Sequence, residues 1–317
     1  MDYQWYPGHM TKARRAMEED MKLIDLVIEL LDCRAVLSSR NPDIDTLSKG
    51  KSRLILLGKA DLADERRNHE WAAWFENRGI ATALIDARAG KGMKNISALI
   101  EQACREKRER DKRRGILNRP IRAMVAGIPN VGKSTLINSM AGKGVARTGN
   151  KPGVTKGKQW IRLNKQVELL DTPGILWPKF EDQDVGRRLA LIGSIRDEIT
   201  DPQELALYLC AWLGREYPDI LRERYGIEES GITGTIGTDE ITGTGGATGI
   251  AGAAGTDGEC GEAVWMKLLE QIAIRRAALQ RGGEPDLQKA AQILLTDFRS
   301  GKLGRISLEI CPVGKSG

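Results

Sequence analysis

"GIPNVGKST", Gly127–Thr135, fits the pattern G-x-x-x-x-G-K-[ST], and the residues on either side decide what it is. The apolar run "IRAMVAG", Ile121–Gly127, reads as a strand entering it, and a helical pattern leaves it, so the match sits on the strand-to-helix turn that a phosphate-binding loop requires. Glycines there let backbone amides turn towards an anion. Lys133 brings a mobile cation to β and γ phosphates, and Ser134 offers a hydroxyl to Mg²⁺. Asn130, Val131, Gly132, Lys133, Ser134 and Thr135 are therefore the expected phosphate-binding residues, with Lys133 also catalytic.

Working outward, "VELLDTPGI", Val167–Ile175, is an apolar strand that delivers Asp171 at its carboxyl end, where the ligands of parallel sheets collect. Asp171 is expected to hold Mg²⁺ through water, and the Gly174 amide to sense the γ phosphate. Between the two motifs, "TGNKPGVTKGKQW", Thr148–Trp160, has the polar, basic, Gly-rich composition of a mobile loop. Thr155 is placed on Mg²⁺ and the γ phosphate, as a catalytic and metal-binding residue, with Thr148 as the alternative.

Further apolar runs precede the loop: "LVIELLD" (Leu26–Asp32), "RLILLG" (Arg53–Gly58) and "ATALID" (Ala81–Asp86). Stretches of helical periodicity, such as 64–78 and 95–109, separate them. Strand and helix in alternation predict a mainly parallel sheet with helices on both faces. "QWIRL" and "QVELLD", only "NK" apart, predict a hairpin at the sheet edge. After "DTPG" the pattern is helical, over 184–223 and again over 262–298, so an α/β domain of residues 1–178 is expected to precede an all-helical domain of 179–317. The Gly/Thr-rich stretch at 230–259 reads as a low-complexity insert without chemistry.

Composition narrows the class. Of 317 residues, 41% are hydrophobic and 29% charged, with no apolar run able to span a bilayer, and "MDYQWYPGHM" has no signal core, so a cytoplasmic protein without membrane attachment is expected. Five cysteines stand singly with only two histidines, which disfavours a zinc site and predicts packed thiols. A net charge of +6 and a pI near 9.0 lean towards a polyanionic partner.

"PGHM", "DCRAVLSSRNP" (Asp32–Pro42), "GKADL", "GIPNVGKST", "NKPGVTKGKQW", "DTPGILWP", "LALIGSIRDE" and, near the end, "DFRSGKLGRISLE" occur in an order that resembles the circularly permuted GTPases of the ribosome biogenesis GTPase A (RbgA/YlqF) family. The likeness covers nearly the whole chain except the insert. It implies a circularly permuted P-loop GTPase domain in which the base-reading segments precede the phosphate loop while the sheet is unchanged. In that frame Asp61 would accept hydrogen bonds from guanine N1 and N2, a donor pair adenine lacks, the Lys59 stem would cover the base with Ala60 beside it, and the Ala87 amide in "DARAGKG" (Asp86–Gly92) would make the second base contact. Family members carry Asn at the position of Gly58, so looser nucleotide binding is expected.

Where many GTPases place a water-orienting Gln after D-x-x-G, this chain has Ile175. The resemblance points to His9 as its catalytic substitute, the other reading of His9 being a surface or RNA-contacting residue. Asn130 matches an Asn that helps coordinate K⁺ beside the phosphates in related GTPases, the other reading of Asn130 being a residue that only tolerates the loop's backbone. GTP or GDP, Mg²⁺ and K⁺ are the implied cofactors.

"REKRERDKRRG", Arg105–Gly115, joins Lys12, Arg14, Arg15, Lys151, Lys156, Lys158, Arg299, Lys302 and Arg305 as separate basic clusters. With aromatic residues at only 5%, recognition of RNA shape and phosphate is favoured over base stacking. The expectation is a monomeric assembly factor for the large (50S) ribosomal subunit that docks on rRNA rather than DNA and switches with nucleotide. The alternatives are a nucleotide-dependent scaffold with negligible turnover and a P-loop ATPase.

Overall fold

The computed structural model describes residues 15, 17–116, 119–142, 159–171, 182–227 and 258–312, with 159 and 258–262 described by backbone alone. Six strands, β1 (Leu26–Asp32), β2 (Ser52–Gly58), β3 (Ala81–Leu84), β4 (Ile121–Ala126), β5 (Gln159–Arg162) and β6 (Val167–Asp171), form one sheet in the order β3-β2-β1-β4-β6-β5. Every pair is parallel except β5 with β6, which are antiparallel as the short "NK" link requires. All seven residues of β1 are buried, which an apolar strand tolerates only at the centre of a sheet covered on both faces. Glu29 is the one acidic residue within β1 short of its end, and Arg53 on β2 and Arg40 both donate to its buried carboxylate.

Helices α1 (Asp43–Leu47), α2 (Glu65–Glu76), α3 (Ile96–Ala103), α4 (Arg105–Arg113) and α5 (Lys133–Ala141) fill the crossovers. Asp64 caps α2 by accepting the Arg67 amide, and Trp71 and Phe75 from that helix pack on Leu31, Ile55 and Leu57 of the sheet. Burying such side chains is worth about 1.5–3 kcal/mol each, which is what fastens α2. The continuous helix expected over 95–109 is instead bent at Cys104, whose backbone leaves helical geometry between α3 and α4. α3 buries Ile96 and Ile100, whereas α4, made of "REKRERDKR", buries nothing.

Two compact units emerge, Met1–Arg196 with Arg305–Gly317, and Asp197–Gly304. The division expected between 178 and 179 therefore lies later in the chain, and the last segment returns to the first unit. The physical reason is that α6 (Gln183–Leu191) buries Leu189 and Leu191 within the α/β unit, although its amphipathic pattern is indistinguishable in kind from that of the helices beyond it.

The second unit holds α7 (Pro202–Glu216), α8 (Pro218–Tyr225), α9 (Gly258–Arg275) and α10 (Leu287–Arg299). Leu209 and Leu213 of α7, Leu269 and Ile272 of α9, and Leu294 and Phe298 of α10 are buried. Gly214 permits close packing of α7 on α9, since a Cβ there would lie 2.7 Å from the Trp265 ring. The 230–259 insert lies outside the described residues up to 257, and α9 begins at Gly258. Among the described residues no helix is long and apolar enough to cross a membrane. Cys33, Cys104, Cys210 and Cys311 are buried free thiols, and burial pushes Cys210 up to about 12.

Candidate active site

β4 runs straight into the phosphate loop and α5 begins at Lys133. A Cβ at Gly127 would stand 2.8 Å from the Leu30 carbonyl oxygen and 3.0 Å from Val131 Cγ1, so the loop can pass β1 at this distance only as glycine. Gly132 (φ 108°) and Asn130 (φ 58°) take left-handed backbone, which curls the loop; Asn tolerates this better than most side chains. Lys133 is buried, and its ammonium donates to the Gly127 and Ile128 carbonyls at 3.0 and 2.9 Å.

Burial drives the Lys133 ammonium down to about 8, against the opposing pull of the Asp171 carboxylate. Asp171 ends β6, buried, and burial raises its carboxyl above the ordinary value despite Lys133. Its Oδ1 has no hydrogen-bond partner among the described residues. A buried carboxylate oxygen left unsatisfied and an under-neutralised lysine at neighbouring strand ends fit a divalent cation and a polyphosphate. Asp171 and Ser134 would hold that Mg²⁺, which when bound neutralises charge on the β and γ phosphate oxygens.

Lys59 leaves β2 in left-handed backbone (φ 56°), and its ammonium donates both to the Asn130 carbonyl of the phosphate loop and to Asp32 Oδ2, each at 2.8 Å. Asp32, the last residue of β1, is fully buried and also receives Arg34 Nε at 2.9 Å and Nη2 at 2.8 Å. Burial alone would raise its carboxyl, but Arg34 and Lys59 overcome that and hold it well below the usual carboxylate range. Beside this fixed lysine, Asp61 is exposed.

The loops that follow β2 and β3 touch, because the Ala60 amide donates to the Ile85 carbonyl at 3.2 Å. Asp86 closes the second loop by accepting the Arg88 and Ala89 amides at 2.9 and 3.0 Å, and Gly92 (φ 77°) could not carry a Cβ, which would fall 2.2 Å from the Leu84 carbonyl. On the other flank, Asn130 Nδ2 donates to the Gly193 carbonyl at 2.7 Å and Ser194 Oγ to the Pro129 carbonyl at 2.8 Å. The phosphate loop is thus stapled to the chain just beyond α6.

Residues 122–211 match the family model described as 50S ribosome-binding GTPase. The chain is 45% identical to ribosome biogenesis GTPase A of Bacillus cereus, over 98% of this chain and 94% of that one. The chain belongs to the ribosome biogenesis GTPase A family. It is also 29% identical to the protein of that name from Thermotoga maritima, over 96% of this chain and 93% of the other. GNP-bound YlqF from T. maritima superposes with a TM-score of 0.60 at 26% identity, covering 95% of this chain and 98% of that one.

In this GTPase the permutation is visible directly: β1, β2 and β3 precede the phosphate-loop strand β4 in sequence yet lie beside it in the sheet. Lys59, Ala60, Asp61 and Ala87, then Asn130–Thr135, follow the carboxyl ends of β2, β3 and β4, and Asp171 is the last residue of β6. His9, Thr148, Thr155, Gly174 and Ile175 lie outside the described residues. Asp32 and Arg34 lie in "DCRAVLSSRNP" and Gly193 and Ser194 in "LALIGSIRDE", stretches that carry the resemblance, but no role for these four follows from the sequence alone; the acid–base spacing in "DCR" at a strand end is a usable signal for the first two. Of the basic residues read as RNA-facing, Arg299 is paired with Asp197 at 2.7 Å and Arg305 with Glu65 at 2.7 Å, while Lys302 remains largely exposed.

Proposed function

We propose that this GTPase binds GTP and GDP with Mg²⁺ and acts in the cytoplasm, as a monomer, in assembly of the large ribosomal subunit, docking on its rRNA. The observation that carries the guanine reading is Lys59, held at 2.8 Å from both Asp32 and the phosphate loop, which leaves the adjoining Asp61 exposed beside a nucleotide-binding loop. Asp61 accepts guanine N1–H and N2–H, the Lys59 stem and Ala60 cover the base, and Ala87 supplies the second contact. Asn130 through Thr135 cradle the phosphates. Ser134, Thr155 and Asp171 hold Mg²⁺, Gly174 follows the γ phosphate, and His9 orients water in place of the Gln that Ile175 replaces. Asn130 also helps hold K⁺, whose charge assists phosphoryl transfer.

The ribosomal reading draws on the likeness to the ribosome biogenesis GTPase A relatives and on α4, which exposes Arg105, Arg110, Lys112 and Arg113, while Lys107 is half-buried and paired with Asp25 and Asp111. Such a surface suits phosphate-rich RNA with strong salt dependence. Co-sedimentation with large ribosomal subunits tests it. The full chain should pellet with subunits in a non-hydrolysable GTP analogue and release in GDP. Equal pelleting in both states would favour a scaffold in which nucleotide is a structural ligand, the reading that Ile175 keeps alive.

A further inference from the structure

The last described segment, 305–312, belongs to the α/β unit although the helical unit separates it from that unit in sequence. It lies along the base-reading loop. The Ile306 amide donates to the Leu62 carbonyl at 3.0 Å, and Arg305 Nη2 reaches the Ala60 carbonyl at 3.3 Å. Ser307 Oγ accepts the Asp64 amide at 3.2 Å, and the Ser307 carbonyl accepts Arg67 Nη1 at 3.2 Å. The backbone on both sides of Asp61 is therefore fastened from the far end of the chain.

The same segment grips the turn that follows β1. The Leu308 amide donates to the Arg34 carbonyl at 2.6 Å. Glu309, buried, accepts the Leu37 and Ser38 amides at 2.7 and 2.9 Å as well as the Ser38 hydroxyl, with Arg188 of α6 at 3.7 Å. Arg34 in turn holds Asp32, which holds Lys59. One short strand of chain thus supports both Lys59 and Asp61.

From these contacts we infer that Arg305–Glu309 is the brace that positions Asp61 for guanine, a specificity-determining element outside the nucleotide-binding motifs. The inference rests on the reading of Asp61 as the guanine acceptor. Asn68 Nδ2 also donates to the Ala60 carbonyl, at 3.0 Å, so the loop does not collapse without the brace. What is lost is the alignment of one carboxylate.

The prediction concerns discrimination rather than overall affinity. Inosine triphosphate lacks the 2-amino group, so the ratio of GTP to ITP affinity reports one Asp61 hydrogen bond and cancels contributions from the phosphates. A hydrogen bond to a carboxylate is worth about 1.5–3 kcal/mol, or roughly tenfold and more. The double variant Arg305→Ala with Ser307→Ala removes the Arg305 contacts to the Ala60 carbonyl and Glu65 and the Ser307 hydroxyl that accepts the Asp64 amide, and Ile306→Pro removes the amide that holds Leu62. Each should lower the GTP:ITP affinity ratio about tenfold while leaving tripolyphosphate binding unchanged.

A structural role alone would weaken all three ligands together, and that outcome overturns the proposal, as does an unchanged ratio in the double variant. If Ile306→Pro fails to fold, the double variant decides, joined by hydrogen exchange at the Asp64 amide, which must accelerate. Asp61→Asn in the intact chain is measured alongside. Loss of GTP preference in favour of xanthosine triphosphate with unchanged brace variants refutes the brace and keeps the guanine reading, whereas no effect of Asp61→Asn refutes both.

Discussion

Gly58→Asn is the substitution on which the account of this site makes its sharpest commitment. Gly58 is the last residue of β2, in register with Asp32, and its carbonyl accepts the Cys33 amide at 2.9 Å. Its backbone is not in the left-handed region, so an L side chain meets no torsional penalty there. A Cβ would approach Leu30 Cδ1 to 3.0 Å and the Leu31 carbonyl to 3.4 Å. The first contact is the end of a side chain that can shift by a few tenths of an ångström, at about 1 kcal/mol, and removing glycine's excess freedom in the unfolded chain returns about 0.4–1 kcal/mol. Fold stability should therefore change by less than about 1 kcal/mol.

The gain lies in binding. An Asn amide contacting the base adds one hydrogen bond of about 0.5–1.5 kcal/mol, and pinning the loop adds nothing large because Lys59 already ties it to Asn130. GDP affinity, measured with a fluorescent analogue at fixed Mg²⁺, should rise about three- to tenfold with the melting temperature nearly constant. Unchanged or weaker binding by a folded variant would show that Gly58 is not the deficiency its position implies.

Other outcomes follow from the same geometry. With its ammonium at about 8 in the free protein, Lys133 is partly neutral above that pH, and bound phosphates must raise it again; GTP affinity should be flat below pH 7 and fall through 8, by up to about tenfold per unit, with proton uptake measurable by calorimetry in two buffers. Asp32→Asn leaves buried Arg34 without its counter-charge, so chemical denaturation should show a loss of about 3 kcal/mol or more, together with weaker GDP binding as Lys59 loses an anchor. Hydrolysis in K⁺ should exceed that in Na⁺ by about tenfold, and Asn130→Ala should erase the difference; equal rates in the two salts would remove the ion from the site.

Much of the fold was legible because its strands are self-announcing. "LVIELLD" is apolar except for Glu29 and the terminal Asp32, and it becomes the fully buried central strand over the same seven residues. The hairpin of β5 and β6 followed from a two-residue link, and the phosphate loop from a pattern whose fixed glycines, Lys133 and Ser134 each answer a backbone or charge requirement. Asp61 and Lys59 stand in the sequence as a motif, identifiable by order and identity. What holds Lys59 in place is not, since Asp32 is 27 residues away and its role depends on the register of β1 against β2.

Distance in sequence hid the rest. Glu309 and Ser307 find partners 240 or more residues upstream, in a segment, "RISLEICP", with neither helical nor strand periodicity to draw the eye. The compact units divide after Arg196 rather than where the helical pattern begins, for a related reason: amphipathicity reports that α6 buries a face, never which core receives it.

The central claim is that this permuted domain is a guanine-reading GTPase whose working partner is the large ribosomal subunit. The most direct test is steady-state GTP turnover by the full chain with and without purified large subunits, with small subunits as the control. The account predicts turnover raised at least about tenfold by large subunits alone. Turnover that stays flat on adding them, or that rises equally with small subunits, would contradict it.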